Sequence, residues 1–432
     1  AVLGGVADLR GQLMEGELSQ IRVEMMRRAA AGKRLLSRAN RLPRVFEQLR
    51  ALAAKTLLGL VSEEQFDAWQ RRLGLRVGPT VTEPTPEAFA PPAVPKGLPL
   101  VYRRLFSADA LEASDVVTGR NAEIGRATAV LTTRVPNRLR NIAIVGPDGV
   151  GKGAVANAIV RASGIRTVRR IQWTEPVTEE SLTQALREVQ EGTLVVVQGF
   201  HWLLAMKPGG LHPLRHFVDT VVKDHGSNAW IIDVDSPVWT MASAAAPVGH
   251  AFPHVIHLGP LSRGALESAV LARHGLSGHG LTFDPPASAS GLEEFFTRVA
   301  ARIRRPYDRY FTALHDASGG LVRDALRLWL ASTEHVDEAG DLVRMGHVPP
   351  SAQRPLRRLP EDTLLELYQV LRQGWMNGDV FSHVFRIELQ EAEAALSHLA
   401  HLGLLDRHGS AYRVAPHLRG PLQTVLRDRG WL

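Results

Sequence analysis

Residues 141–159 read NIAIVGPDGVGKGAVANAI. The apolar run 142–145 has the length and composition of a strand buried on both faces, 146–152 is a glycine-rich loop, and a helix pattern follows. A loop that passes from a strand into a helix aims backbone N–H groups and the positive end of the helix dipole at one spot, which is what holding a phosphate requires. Gly146, Gly151 and Lys152 match the spacing G-x-x-x-x-G-K-[ST], with Gly149 between them. The last position is Gly153, so the hydroxyl that would hold Mg²⁺ is missing.

The surrounding chain has 432 residues, which predicts about three domains. Hydrophobic content of 45% and charged content of 22% are those of a globular protein. The absence of cysteine excludes disulfides, thiol chemistry and Cys-ligated zinc. No apolar run approaches the roughly 20 residues of a bilayer span. The expected location is the cytoplasm, with membrane association left open should sequence precede Ala1. Formal charge is +7, and the excess lies at the start of the chain, where residues 1–78 carry 14 basic against 8 acidic side chains.

That first segment has helical spacing in Met14, Leu18, Ile21 and Met25 and again in Leu35, Leu42, Val45, Leu49 and Leu52. Arg27, Arg28, Lys33, Arg34, Arg38, Arg41 and Arg44 crowd one stretch, so residues 27–50 offer a contact for nucleic acid or an acidic membrane surface; a solvated helix face is the plainer reading. Seven prolines in 79–99 predict an extended linker. Beyond the glycine loop, apolar runs at 168–173, 194–197, 230–234 and 255–258 alternate with helical patterns, of which 179–191 and 211–225 are the clearest. Alternation of this kind predicts a parallel sheet covered on both faces.

Several stretches resemble one family. Val117-Thr118-Gly119-Arg120, with Glu123 three residues on, is similar to the V-x-G-R-x-x-E box of AAA+ ATPases of the origin-recognition and STAND type. In that family the box leads into the nucleotide pocket on its adenine side, which implies roles for Gly119 and Arg120. The stretch FPHVIHLGPLSRGALESAVLARHGLSGHGLTFDPP from Phe252 resembles bacterial AAA+/STAND-like ATP-binding proteins with C-terminal winged helices, and the likeness covers most of residues 100–432. Gly320-Leu321-Val322-Arg323-Asp324-Ala325-Leu326 is similar to the G-x-x-R-x-A-L sensor-2 element of the helical lid, implying that Arg323 points at nucleotide phosphates. Helical patterns at 361–374, 379–385 and 389–399, a hairpin at 404–414 and a closing helix at 418–429 follow the order of a winged helix. Glu388, Glu391 and Glu393 sit at its third helix with only Arg386 nearby, which favours protein contact or ring packing over DNA.

The resemblance implies an α/β P-loop NTPase (AAA+-like) fold, a parallel sheet with a helical lid, a C-terminal winged helix and an N-terminal helical segment. The expected divisions are a basic helical segment at 1–78, a Pro-rich linker at 79–99, the P-loop domain at 100–286, the lid at 287–350 and the winged helix at 351–432. In working members the strand matching 194–197 ends in the carboxylates that position Mg²⁺ and water. Here Gln198 and Gly199 follow it, so the catalytic positions are occupied by Gly153, Gln198 and Gly199.

The expectation is therefore a catalytically impaired AAA+/STAND-like protein that binds ATP or ADP weakly or not at all. It would not use Mg²⁺ and would not hydrolyse, serving as a scaffold or regulatory subunit in a homo- or hetero-oligomer with related subunits. The candidate nucleotide-binding residues are Gly119, Arg120, Gly146, Gly149, Gly151, Lys152, Gly153 and Arg323. Two alternatives stay open: a slow ATPase using Asp148, Asp233 or Asp235 as a repositioned carboxylate, and a DNA-associated regulator.

Overall fold

The computed structural model describes residues 85–95, 97–107, 117–133, 139–224, 227–283, 306–336 and 342–432. The basic segment 1–78 with its expected contact surface at 27–50, and the expected boundary between 286 and 287, lie outside the described residues. Glu83–Leu432 forms one compact unit. Among the described residues no helix is long and apolar enough to cross a membrane.

In chain order the elements of the α/β part are α1 (Leu100–Leu105), α2 (Asn121–Thr132), β1 (Ile142–Gly146), α3 (Lys152–Ser163), β2 (Val168–Gln172), α4 (Glu179–Arg187), β3 (Leu194–Gln198), α5 (His212–Lys223), β4 (Ala229–Asp235), α6 (Ser236–Ala245), α7 (Val248–Ala251) and β5 (His254–His257). The five strands form one sheet in the order β2-β3-β4-β1-β5, and every pairing is parallel. Parallel neighbours need a crossover, and the intervening helices supply it, covering both faces. Side chains alternate accordingly. Ile142 and Ile144 face α2 and α3 with Val155, Ala156 and Ile159, while Ala143 and Val145 face the core that holds Phe217 of α5. The carboxyl ends of β1, β3 and β4 thus meet at one edge, where the chain turns into loops.

The chain continues as α8 (Arg263–Gly275), β6 (Gly280–Phe283), α9 (Pro306–Ser318), α10 (Val322–Ala331), β7 (Thr333–Val336) and β8 (Leu342–Met345). The span 287–350, expected as helical, also contains strands. β8 pairs parallel to β6 and antiparallel to β7 in a small separate sheet. Short strands whose partners lie far apart in sequence leave little local signal, which is why the pattern reads as helix and loop. This part has its own core, where Trp329 packs among Tyr102, Phe106 and Phe311.

The C-terminal part comprises α11 (Gln353–Arg357), α12 (Glu361–Gln373), α13 (Gly378–Phe385), α14 (Leu389–His401), β9 (Leu405–His408), β10 (Ala411–Val414) and α15 (Pro416–Asp428), with β9 and β10 an antiparallel hairpin. It shares a continuous core with the sheet: Leu364, Leu367, Trp375, Phe381 and Leu422 belong to the same buried cluster as Val195, Val197 and Trp202. Helix α6 packs on α12 across this junction.

The linker is also more tightly held than its prolines predict. Pro86–Phe89 makes a short 3-10 turn, Phe89 is fully buried in that shared core, and its carbonyl accepts a hydrogen bond from the His417 ring at 2.6 Å. One aromatic side chain outweighs the extended preference around it, because burying such a ring removes about 150–250 Å² from water.

Candidate phosphate site

The loop after β1 is shaped by two left-handed glycines, Gly149 (φ 82°) and Gly151 (φ 99°), a conformation that costs other residues about 1–2 kcal/mol. Gly146 is required for a different reason: a Cβ there would lie 2.6 Å from the Leu258 carbonyl oxygen beyond β5. Gly151 is the N-cap of α3, and no side chain caps that helix end. The loop therefore has the backbone form of a phosphate cradle. A five-stranded parallel sheet in this order, with such a loop leading from its first strand into a helix, is the P-loop NTPase fold.

The charges around the cradle are satisfied by the protein itself. Lys152 donates to the carbonyls of Gly146 (3.2 Å) and Pro147 (3.0 Å) and to Asp235 Oδ1 at 2.6 Å. An ammonium has three protons to donate, and three acceptors take them. Asp148, on the loop, receives Arg323 Nη1 and Nη2 on its two oxygens at 2.8 and 2.9 Å, and Arg419 of α15 binds the second oxygen as well. Burial would raise the Asp148 carboxyl, but Arg323, Arg419 and Lys152 together hold it well below the usual carboxylate range. Arg323 is further tied by its backbone N–H to the Gly149 carbonyl (3.0 Å) and by Nη2 to the Pro416 carbonyl (3.2 Å).

Side chains from two strands face Gly153. A Cβ there would be 3.6 Å from Gln198 Nε2 at the end of β3 and 3.9 Å from Asp233 Oδ2 on β4. Burial, then the neighbouring Asp235, push the Asp233 carboxyl up to about 6, against the pull of Lys152 and a hydrogen bond from Gln198. The groups facing this spot are one amide and one reluctant carboxylate. Mg²⁺ prefers several charged or strongly polar oxygens, so this donor set does not fit a metal-bound nucleotide.

Position 199, where the family resemblance leads one to expect a carboxylate, has no room for a side chain. Its φ is 78°, and a Cβ would stand 2.2 Å from the Trp173 carbonyl oxygen. This glycine turns the chain into a 3-10 segment, Phe200–Leu203, that is used for docking. Trp375 Nε1 donates to the His201 carbonyl at 3.0 Å, and the Trp202 and Trp375 rings lie 5.3 Å apart. Arg413 sits over Trp202 at 5.7 Å and donates to the Gly374 carbonyl at 3.1 Å. Burial and the positive charges of Arg413 and Arg419 drive the His201 ring well below its usual pKa, so this junction holds a neutral imidazole.

Of the residues proposed from sequence, Gly146, Gly149, Gly151, Lys152, Gly153 and Arg323 come together. Gly119 and Arg120 lie at the junction of β5 and α8. Arg120 is buried, donates to the Gly259 carbonyl and pairs with Glu123 at 3.5 Å, while a Cβ on Gly119 would meet Ala265 at 3.1 Å. Sequence reasoning missed Arg413 and Arg419, because residues on a distant hairpin and helix carry no local mark of contact with the loop. Asp235 was among the carboxylates considered, without its partner.

No protein-family model and no curated protein matches the chain. Among solved structures, the chain is similar to the Aeropyrum pernix ORC1 protein in complex with DNA (17% identity, 76% of this chain and 96% of that one, TM-score 0.40). It is similar to the Aeropyrum pernix ORC2 protein in ADPNP–ADP complexes (14%, 76% and 98%, 0.41). A Walker-type ATPase of Pyrococcus abyssi is a third (12%, 74% and 99%, 0.36).

Proposed function

We propose that this chain is an AAA+-like P-loop protein whose phosphate site is closed from within, and that it works as a non-hydrolysing scaffold or regulatory subunit carrying a C-terminal winged helix. The observation that supports this most is the full occupation of Lys152 by Gly146, Pro147 and Asp235. A lysine so held has no proton left for a phosphate. The second support is Gly199, where backbone and Trp173 exclude any side chain. ATP or ADP then binds weakly or not at all, and Mg²⁺ adds nothing.

The enzyme alternative narrows to one residue. Asp148 and Asp235 are both engaged in ion pairs, whereas Asp233 stands beside Gly153 and Gln198 with no ion pair among the described residues. Hydrolysis of ATP by the purified chain decides between the readings. The scaffold reading expects no Mg²⁺-dependent turnover above that of Lys152→Ala. Turnover that is lost in both Lys152→Ala and Asp233→Asn would establish the slow enzyme instead.

Partners in this proposal are proteins, including related subunits, since Glu388, Glu391 and Glu393 at or near the start of α14 disfavour a DNA backbone. A DNA titration against salt tests this: a steep loss of affinity with rising salt would favour the DNA-associated reading.

A further inference from the structure

We infer that Asp148 is a built-in substitute for a phosphate, fastening the lid and the last helix onto the loop and thereby excluding anions from it. The inference rests on the reading of the chain as a P-loop protein with an internally closed site. Three observations carry it.

The first is the shape of the contact. A guanidinium presents two parallel N–H groups that match either a carboxylate or the edge of a phosphate, and Arg323 makes this paired contact with Asp148 at 2.8 and 2.9 Å. The carboxylate thus takes the N–H donors that Arg323 would otherwise offer to a ligand. It does so from within the loop, one residue before the left-handed Gly149 whose carbonyl accepts the Arg323 N–H.

The second is the number of elements gathered on one side chain. Arg323 comes from α10 and Arg419 from α15, and both reach Asp148. Arg323 also donates to the Pro416 carbonyl at the start of α15, and Arg419 Nε donates to the Val414 carbonyl at 2.8 Å, fixing the geometry of each cation from behind. Arg419 is 7% exposed, so its charge has little water to rely on.

The third is the local charge. Lys152, Arg323, Arg413 and Arg419 gather around the loop, while the acids that pair with them are Asp148 and Asp235. Arg413 donates to the Gly374 carbonyl and lies over the Trp202 ring. Neutralising Asp148 removes the one carboxylate that Arg323 and Arg419 hydrogen-bond to and leaves them only the field of Asp324 and Asp235, a costly arrangement that an added anion would relieve. The intact carboxylate, in turn, repels such an anion.

The test uses the full chain, inorganic pyrophosphate and EDTA. Asp148→Asn should melt several degrees below the wild type, and pyrophosphate should recover much of that loss while leaving the wild type unmoved. Calorimetric titration should find pyrophosphate bound at least about tenfold more tightly by the variant, the scale expected for removing one partly screened repulsion. Equal stabilisation of both proteins, or an Asp148→Asn chain as stable as the wild type, overturns the inference. Should that variant fail to fold, Asp148→Asn with Arg419→Gln removes one charge of each sign, and pyrophosphate must still bind it more tightly than the wild type for the inference to stand. ATP hydrolysis by the wild type would refute the scaffold reading alone, because the pyrophosphate comparison reads Asp148 independently of turnover.

Discussion

The loop after β1 and the turn after β3 both depend on left-handed glycines, for opposite reasons. Around Gly151 there is open space, with nothing within 4 Å of where a Cβ would be, so its glycine serves the shape of the loop. At Gly199 the same Cβ would collide with the Trp173 carbonyl, so that glycine serves close packing. The first region keeps the backbone form of a phosphate cradle while its charges are spent on Asp148 and Asp235. The second is the seat of Trp375, His201 and Arg413. Under the closed-site proposal, the first region is neutralised from within and the second serves as a packing surface.

The strongest challenge to that contrast is a methyl group at each glycine. Gly199→Ala should cost on the order of 4 kcal/mol or more, since strain and collision add, and a denaturant midpoint no lower than that of Gly151→Ala would refute the packing role. Next to Arg323 is Asp324, in the first turn of α10, which lies 3.6 Å from Arg327; among the described residues its buried oxygens have no hydrogen-bond donor, and its Oδ2 would lie 2.5 Å from a Cβ on Gly420 of α15. Burial, only partly offset by Arg323, Arg327 and Arg419, pushes its carboxyl up to about 6. A folded value above the unfolded one means that the folded state prefers the protonated acid. The cost is therefore present above pH 6 and is lost as pH falls toward the unfolded value near 4. Relative to Asp324→Asn, the wild type should lose about 2–3 kcal/mol of stability between pH 4 and pH 7. Parallel stability curves for the two proteins would show that Asp324 is ionised without cost. The smallest effect is Gly151→Ala itself, expected to cost about 1–2 kcal/mol from its left-handed backbone alone.

Much of the α/β part was legible in the sequence. Runs such as 194–197 and 230–234 mark strands because burial on both faces demands continuous apolar side chains, and the structure shifts their ends by only a residue or so. The helix–helix–helix–hairpin order after Glu361 was likewise visible from periodicity. What remained hidden depends on contacts between remote segments. Asp148 reads locally as a repulsive charge beside a phosphate loop, and only the fold brings Arg419 to it from 271 residues away. Phe89 looks like one residue in a proline-rich spacer until the shared core surrounds it. Gln198 and Gly199 stand where the family resemblance implies carboxylates, but that no side chain fits at position 199 follows only from a backbone angle and a neighbouring carbonyl.

Titration of the wild-type chain with ATP, with and without Mg²⁺, tests the closed site most directly. An internally neutralised loop predicts no saturable binding below about 1 mM and no difference on adding Mg²⁺. Micromolar binding that Mg²⁺ strengthens and Lys152→Ala abolishes would contradict it.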